Sequence, residues 1–535
     1  MQGKLGLIAV FAGAAVLGMA NVAGALQGEL VPHSLFTGGH FAAAALMGDG
    51  ELLHTDRIYN GATFGPLLWP MGLLSVLVGP LWGLRLVWGL TPAFNAACGF
   101  ALGRQLGLSS RGMALVGGLL AFAPWVRTTL GNGQIEQAVI GGAALIWAAA
   151  LWESRHRLWL TPLLVLAVGL AAPNVALAAC LGLPFVLLPR RRWGRMAAVL
   201  ALCATALFAA SKYHAMSYDA ESVRFFIPRQ APPEFLATEL LDRRPSVGWA
   251  AENPAALSNA VPRSFVEPVG PRGFDRPVVH APYLGGVLLL AAGVALVRRR
   301  RGALPMALAA GALAVFSMGA SYRGLPMPMA LVHVLAPMIG LSDTSYRLVL
   351  GAVVALGGLA GVALDPLLKR FGWLLPLVVV ASWAETLVLP NHSLPLPTEP
   401  AYPHPVLAGV GDGEGAILEL PLPTLQCNAM VQHHVSSVAV HGRPMLYGAT
   451  QVEDYPVVAM RLSRFEAAYA GKEICLGELP RLVRELKVGA VVLHHDHFCG
   501  LPRSLEACLV ELYGEPDGGD GGADYWVLDG ERAGR

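Results

Sequence analysis

Charged residues are what this chain has too few of for its length. Asp, Glu, Lys and Arg make up 14% of 535 residues, against about 25% in soluble globular proteins, which excludes a chain solvated over its whole surface. No sign of charge is in excess either. The 38 Lys and Arg against 36 Asp and Glu leave a net charge of +2, so the basic footprint of a nucleic-acid binder is missing. Two arginine runs, Arg190–Arg192 and Arg298–Arg301, abut apolar stretches and read as topology anchors. Cysteine is sparse, at 7 residues. Cys98, Cys180 and Cys203 fall in apolar runs, where thiols are inert core groups. Cys427, Cys475, Cys499 and Cys508 fall near the C-terminal end, where an even count permits two disulfides in any of three pairings. The acidic, Gly-interspersed stretch Asp517 to Asp524 lacks the EF-hand pattern and reads as flexible. No internal repeat is visible, which counts against transporter folds built from repeated halves.

Apolar runs are abundant: 55% of the residues are hydrophobic and the mean hydropathy is +0.53. Runs of about 20 apolar residues are membrane-spanning helices. The candidates are 5–26, 66–84, 91–107, 113–126, 134–152, 158–173, 174–189, 196–213, 281–297, 303–319, 325–341, 346–365 and 371–390. The expected fold is therefore mainly α, a polytopic bundle of about 11–13 segments over residues 1–390. The first run is taken as an uncleaved helix; a signal peptide cut near Ala23-Gly24-Ala25 is the competing reading. The segment 325–341 contains Pro326, Pro328 and Pro337, and is expected to be re-entrant or interfacial.

Short loops rich in Arg and Lys stay in the cytoplasm. The clusters at Arg104–Arg111, Arg155–Arg157, Arg190–Arg195, Arg298–Arg301 and Lys369–Arg370 alternate with polar stretches. With Lys4 inside, the N-terminus is cytoplasmic, while loops 27–65 and 214–280 and the tail after Pro390 lie outside. One inconsistency stands. Between Gly65 and Arg104 two apolar segments are visible where the alternation needs an odd number of crossings, so 66–84 or 91–107 is expected to be half-buried or re-entrant. In loop 214–280, short helices such as Pro233 to Arg243 are expected.

After Pro390 the composition changes. Residues 391–403 are Pro-rich and read as a stiff linker. Residues 404–535 read as a small extracytoplasmic α/β domain. Ala416–Pro421, Val488–His494 and Tyr525–Asp529 have strand character, and Leu479–Leu486 and Ser504–Leu512 have helical spacing.

Titratable groups gather in the first external loop, with Glu29, Asp49, Glu51, His54, Asp56 and Arg57 among them. Such groups can cap short helices or simply be solvated. Glu136, near a helix start, suits the positive end of a helix dipole. Arg347 can pair with Asp343 or, as a charge at membrane depth, serve a functional anion. His494-His495-Asp496-His497 is the densest ligand-type cluster. Alternation along a strand puts His495 and His497 on one face, making them weak candidates for a metal; a polar strand exit is the plainer reading.

Several stretches carry a family resemblance: Tyr59-Asn60-Gly61 leading into Gly65-Pro66-Leu67-Leu68, Ala114 to Pro124, and Gly131-Asn-Gly-Gln-Ile-Glu136. Further along come Ser317-Met-Gly, Ser345-Tyr-Arg347, Ile417-Leu-Glu-Leu-Pro421 and Val440-His-Gly-Arg-Pro444. With the overall layout, they resemble the GT-C class of membrane glycosyltransferases, and within it a set of uncharacterised bacterial GT-C-like membrane proteins. The resemblance implies transfer of a sugar from a polyprenyl-phosphate carrier at the outer membrane face. It implies a catalytic carboxylate soon after the first helix, Glu29, with Asp49 and Asp56 as further candidates and Glu136 as a second acidic site. The carboxylate would act as a base or hold a divalent metal. Arg323, Arg347 and Arg57 would bind the carrier phosphate. The expected partners are thus a lipid-linked sugar donor and membrane lipids. The first loop lacks the adjacent acidic pair that many GT-C members carry, which leaves two other readings open: a non-catalytic envelope scaffold of this fold, and a lipid or polysaccharide transporter.

Overall fold

The computed structural model of the chain describes residues 2–32, 37–48, 54–55, 62–63, 68–131, 133–153, 159–188, 193–216, 265–266, 279–280, 284–298, 302–317, 321–322, 325–326, 328, 347–386, 396, 398–402, 404–411, 413–420, 437–445, 472–495, 503–528 and 532. Among the described residues, fifteen helices build the bundle. They are α1 (Gln2–Asn21), α2 (Thr37–Gly48), α3 (Leu68–Val78), α4 (Pro80–Gln105), α5 (Ser110–Ala121), α6 (Pro124–Gly131), α7 (Ile135–Ala138) and α8 (Gly141–Glu153). There follow α9 (Leu160–Ala171), α10 (Pro173–Leu187), α11 (Trp193–Met216), α12 (Gly286–Val297), α13 (Ala303–Phe316), α14 (Val349–Arg370) and α15 (Leu374–Glu385). Among the described residues, four stretches are long and apolar enough to cross a membrane, namely 80–105, 110–131, 193–210 and 349–370, and shorter apolar helices accompany them.

The apolar run 66–84 is divided at Gly79. This glycine sits at φ +84 and breaks the apolar run, and Pro80 opens the next helix as its first residue. The sequence places a gap around Arg85, because a charge interrupts the hydrophobic pattern there. The structure instead runs helix straight through it. At 1.5 Å per residue α3 is only about 16 Å long, whereas α4 is about 39 Å, enough to cross the roughly 30 Å core. Of the two helices here only α4 is long enough to cross.

Close helix approach depends on missing side chains. A Cβ on Gly18 of α1 would overlap the Gly89 carbonyl of α4, and one on Gly99 of α4 would come within 3.0 Å of Gly117 Cα of α5. With lipid outside as apolar as the core, such backbone contact supplies the attraction between helices.

The buried carboxylates of the spans cap neighbouring helices. Asp365 near the end of α14 accepts from Ser109 N (3.0 Å) and from the Ser109 hydroxyl, at the start of α5. Arg111 returns the favour to α14 by donating to the Leu368 and Lys369 carbonyls at 2.9 and 3.1 Å. Glu153 at the end of α8 accepts from Leu160 N and, at 2.8 Å, from Thr161 N of α9. Glu385 at the end of α15 accepts from Val287 N of α12 at 2.7 Å. Each pairs a negative charge with the positive end of a helix.

The segment beginning at Leu325 does not start as a helix: Leu325–Pro326 pairs antiparallel with Ser321–Tyr322. The Pro233–Arg243 helix lies outside the described residues.

Strand β1 (Leu30–Pro32) follows α1 and pairs antiparallel with β2 (Thr398–Pro400), so the start of the first loop is stitched to the chain just after the bundle. Beyond it stands a four-stranded sheet of β3 (Ala416–Leu420), β4 (Val488–His494), β5 (Gly518–Gly519) and β6 (Ala523–Val527), in the order β5-β6-β4-β3. Strands β3 and β4 are parallel and the other pairs antiparallel. Helices α16 (Lys472–Glu485) and α17 (Arg503–Tyr513) precede β4 and β5. This is the small α/β domain expected. Its acidic end is ordered rather than flexible. Asp517 Oδ2 accepts from Val527 N (2.7 Å) and pairs with Arg532, and Asp520 Oδ1 accepts from Gly522 N and Ala523 N. Local carboxylate-to-backbone bonds fix such turns. Cys98, Cys180 and Cys203 are free, and Cys508 is disulfide-bonded, so its partner is one of Cys427, Cys475 and Cys499, whose side chains lie outside the described residues.

A polar knot sits inside this domain. Glu419 of β3 is fully buried and meets His441 Nε2 at 3.1 Å and His494 Nε2 at 2.7 Å. Because the Arg443 N–H donates to His441 Nδ1 (3.1 Å), that ring carries its proton on Nε2 and donates to Glu419. Burial pushes the Glu419 carboxyl above its ordinary value, against the opposing pull of His441.

Two outcomes follow. Gly99→Leu drives a side chain into α5 and lowers the melting temperature of the detergent-solubilised protein, whereas Gly13→Leu, with nothing within 4 Å, leaves it unchanged. Glu419→Ala strands two buried imidazoles and costs about 3 kcal/mol. Glu419→Gln differs from it in pH dependence. A raised carboxyl favours folding at low pH and loses that contribution as pH rises through its folded value, so chemical denaturation should show the Gln variant gaining on the parent as pH increases over that window.

Candidate active site

The residues expected to act divide by location. Asp49, Asp56, Arg57, Arg323 and His497 lie outside the described residues. Glu29, Glu136, Arg347 and His495 are within them.

Glu29 is exposed and stands between Gly28, at φ +53, and β1. Its carbonyl accepts from Ala401 N at 2.8 Å, one residue past β2. Tyr402 comes next; burial first and then the charge of Glu29 raise its phenol above the ordinary tyrosine value. The Tyr402 ring meets Phe41 of α2 edge-on, with centroids 5.0 Å apart. Val22 and Val31, on either side of Glu29, belong to one apolar cluster with Phe41 of α2, Trp88 of α4 and Ile135 of α7. Glu136 follows Ile135 in the first turn of α7 and is partly exposed. The structure therefore brings the Glu29 turn and the Glu136 turn to one end of the bundle.

Arg347 sits in the short turn that leads into α14 and is partly exposed. In the orientation that satisfies its amide, Gln137 accepts from Arg347 Nε and Nη1 at 3.2 Å each, and donates to Gln134 at 3.3 Å. The segment from α6 to α7 is itself fastened by Trp125 Nε1 donating to the Gln137 carbonyl at 3.0 Å.

Sequence reasoning missed two arginines as parts of the site. Arg127 on α6 is 8% exposed; its Nη1 donates to Thr386 Oγ1 at 2.7 Å, and its buried Nη2 has no hydrogen-bond partner. Arg85 on α4 is 2% exposed and donates to the Gly28 and Leu30 carbonyls. The signal for both was a lone arginine inside an apolar run, since a charge at membrane depth marks a functional place.

His494 and His495 point to opposite faces of the sheet, as adjacent strand residues do. His494 is absorbed by Glu419, and His495 Nε2 pairs with Asp524 Oδ2 at 2.7 Å. Among the described residues, no group of three or more His, Cys, Asp or Glu is arranged to hold a metal ion.

No family model and no curated protein matches the chain. Solved structures do. Apo ArnT from Cupriavidus metallidurans aligns over 98% of this chain and 98% of its own, with 13% identity and a TM-score of 0.51. ArnT bound to undecaprenyl phosphate aligns over 99% of both chains, with 15% identity and a TM-score of 0.44. The arabinofuranosyltransferase AftD from mycobacteria aligns over 97% of this chain, with 17% identity and a TM-score of 0.48. The chain spans 40% of the length of that AftD structure. At such identity a likeness is one of fold, and the alignment with apo ArnT is the one that carries it. The chain is a membrane-embedded helical protein with a GT-C-like fold and a small C-terminal α/β domain.

Proposed function

We propose that the protein transfers a sugar from a polyprenyl-phosphate-linked donor to an acceptor at the outer face of the membrane. The observation that carries this reading is Arg127, a buried guanidinium with an unpartnered Nη2, at the bundle end that also holds the exposed carboxylate of Glu29. Among the described residues, Asp365, Glu153 and Glu385 are engaged at helix starts, whereas Glu29 is exposed at a turn. A buried cation calls for an anion, and a lipid phosphate reaches that depth where a soluble one does not.

In this reading the phosphate of the carrier lies against Arg127 and Arg347, with Arg57 and Arg323 as further contacts. Glu29 takes the proton from the acceptor hydroxyl as it attacks the anomeric carbon, and Asp49 and Asp56 act beside it or hold a divalent metal against the leaving phosphate. Glu136 is the second acidic group. The basic loops face the cytoplasm in this reading, which puts the N-terminus inside and the α/β domain outside.

The test is sugar transfer by the purified protein from a polyprenyl-phosphate-linked donor. Glu29→Gln and Asp56→Asn are each expected to lower kcat by a factor of about 10² or more. Arg127→Gln is expected to weaken binding of the carrier phosphate more than it lowers kcat. A measured transfer that neither acid substitution alters removes these residues from the chemistry.

A further inference from the structure

Glu29 is gripped from two directions by groups that the proposed reaction does not itself consume. On the bundle side, Arg85 Nη2 donates to the carbonyls of Gly28 at 2.6 Å and Leu30 at 2.8 Å, the residues on either side of Glu29. Its guanidinium lies 5.2 Å from the centroid of the Trp82 ring, which shields one face. Gly28 has the widest backbone freedom of any residue type, so without this grip the peptide units around Glu29 are free to rotate.

On the other side the hold comes from beyond the bundle. The Ala401 N–H donates to the Glu29 carbonyl at 2.8 Å, and Leu30 and Val31 stand opposite Pro400 and Glu399 in the β1–β2 ladder. Tyr402, next in the chain, is fixed by its edge-on contact with Phe41.

We propose that Arg85 is a positioning residue for Glu29, and that the chain after the bundle, through β2, forms part of the site. Arg85 acts on the backbone and fixes where the carboxylate starts from. The β1–β2 ladder holds the same turn from the other side. The inference rests on the transferase reading for its consequence in catalysis, but not for its consequence in structure. A displacement of about 1 Å at a reacting group can cost a factor of 10² in rate.

Two measurements on the full-length protein in lipid nanodiscs separate these. The first needs no activity: digestion with a Glu-specific protease, following the fragment that begins at Leu30. Arg85→Met should be cut there at least about tenfold faster than the parent, Arg85→Lys should recover much of the protection, and Tyr402→Phe should match the parent. Equal cutting of the parent and Arg85→Met overturns the backbone grip. The second is transfer from the polyprenyl-linked donor. Arg85→Met should lower kcat about tenfold with KM for the donor unchanged. A parental kcat for Arg85→Met, where Glu29→Gln is inactive, overturns the positioning role of Arg85. Should Glu29→Gln itself transfer normally, the transferase role of Glu29 fails, and the protease experiment still decides whether Arg85 holds the turn.

Discussion

A helix start packed against its neighbours leaves N–H groups that the protein must partner itself. This bundle does so with carboxylates carried by neighbouring helices. Asp365 serves the start of α5, Glu153 the start of α9 and Glu385 the start of α12. The consequence reaches beyond stability. Each acid so used is committed to a helix start. What remains for chemistry is the set of acids that face outward from the turns, and Glu29 is the foremost of these among the described residues.

The same end of the bundle is where the α/β domain meets it. The β1–β2 ladder, the Tyr402–Phe41 contact and the bond from Leu396 N to the Asn21 carbonyl (2.8 Å) all join the turn after α1 to the chain leading into the domain. Their apolar side chains belong to a cluster that continues into the domain core through Leu418, Val491 and Trp526. Bundle and domain therefore share a core.

Most of the architecture was legible from composition. The apolar runs and the strand–helix–strand pattern of the C-terminal region each report a local property that the fold preserves. The errors have physical causes. Arg85 looked like a gap between two spans, because a sequence shows the charge and not the carbonyls of Gly28 and Leu30 that receive it. The Asp517–Asp524 stretch looked loose, because Asp-to-backbone bonds leave no hydrophobic pattern. The Glu29 turn was legible as a place but not as a constellation. Its partners lie far off in the chain: Arg85, 57 residues from Gly28, and Ala401, which bonds Glu29 across the whole bundle. The bond from Arg127 to Thr386 likewise spans 259 residues, and no local pattern announces such pairings.

The most direct test of the account is a cryo-EM structure of the full-length protein in nanodiscs with a polyprenyl phosphate. The account predicts headgroup density at the end of the bundle that holds Glu29, within hydrogen-bonding distance of Arg127. Density for the phosphate at the opposite end, among the arginine-rich loops, with Arg127 still closed on Thr386 alone, would contradict it.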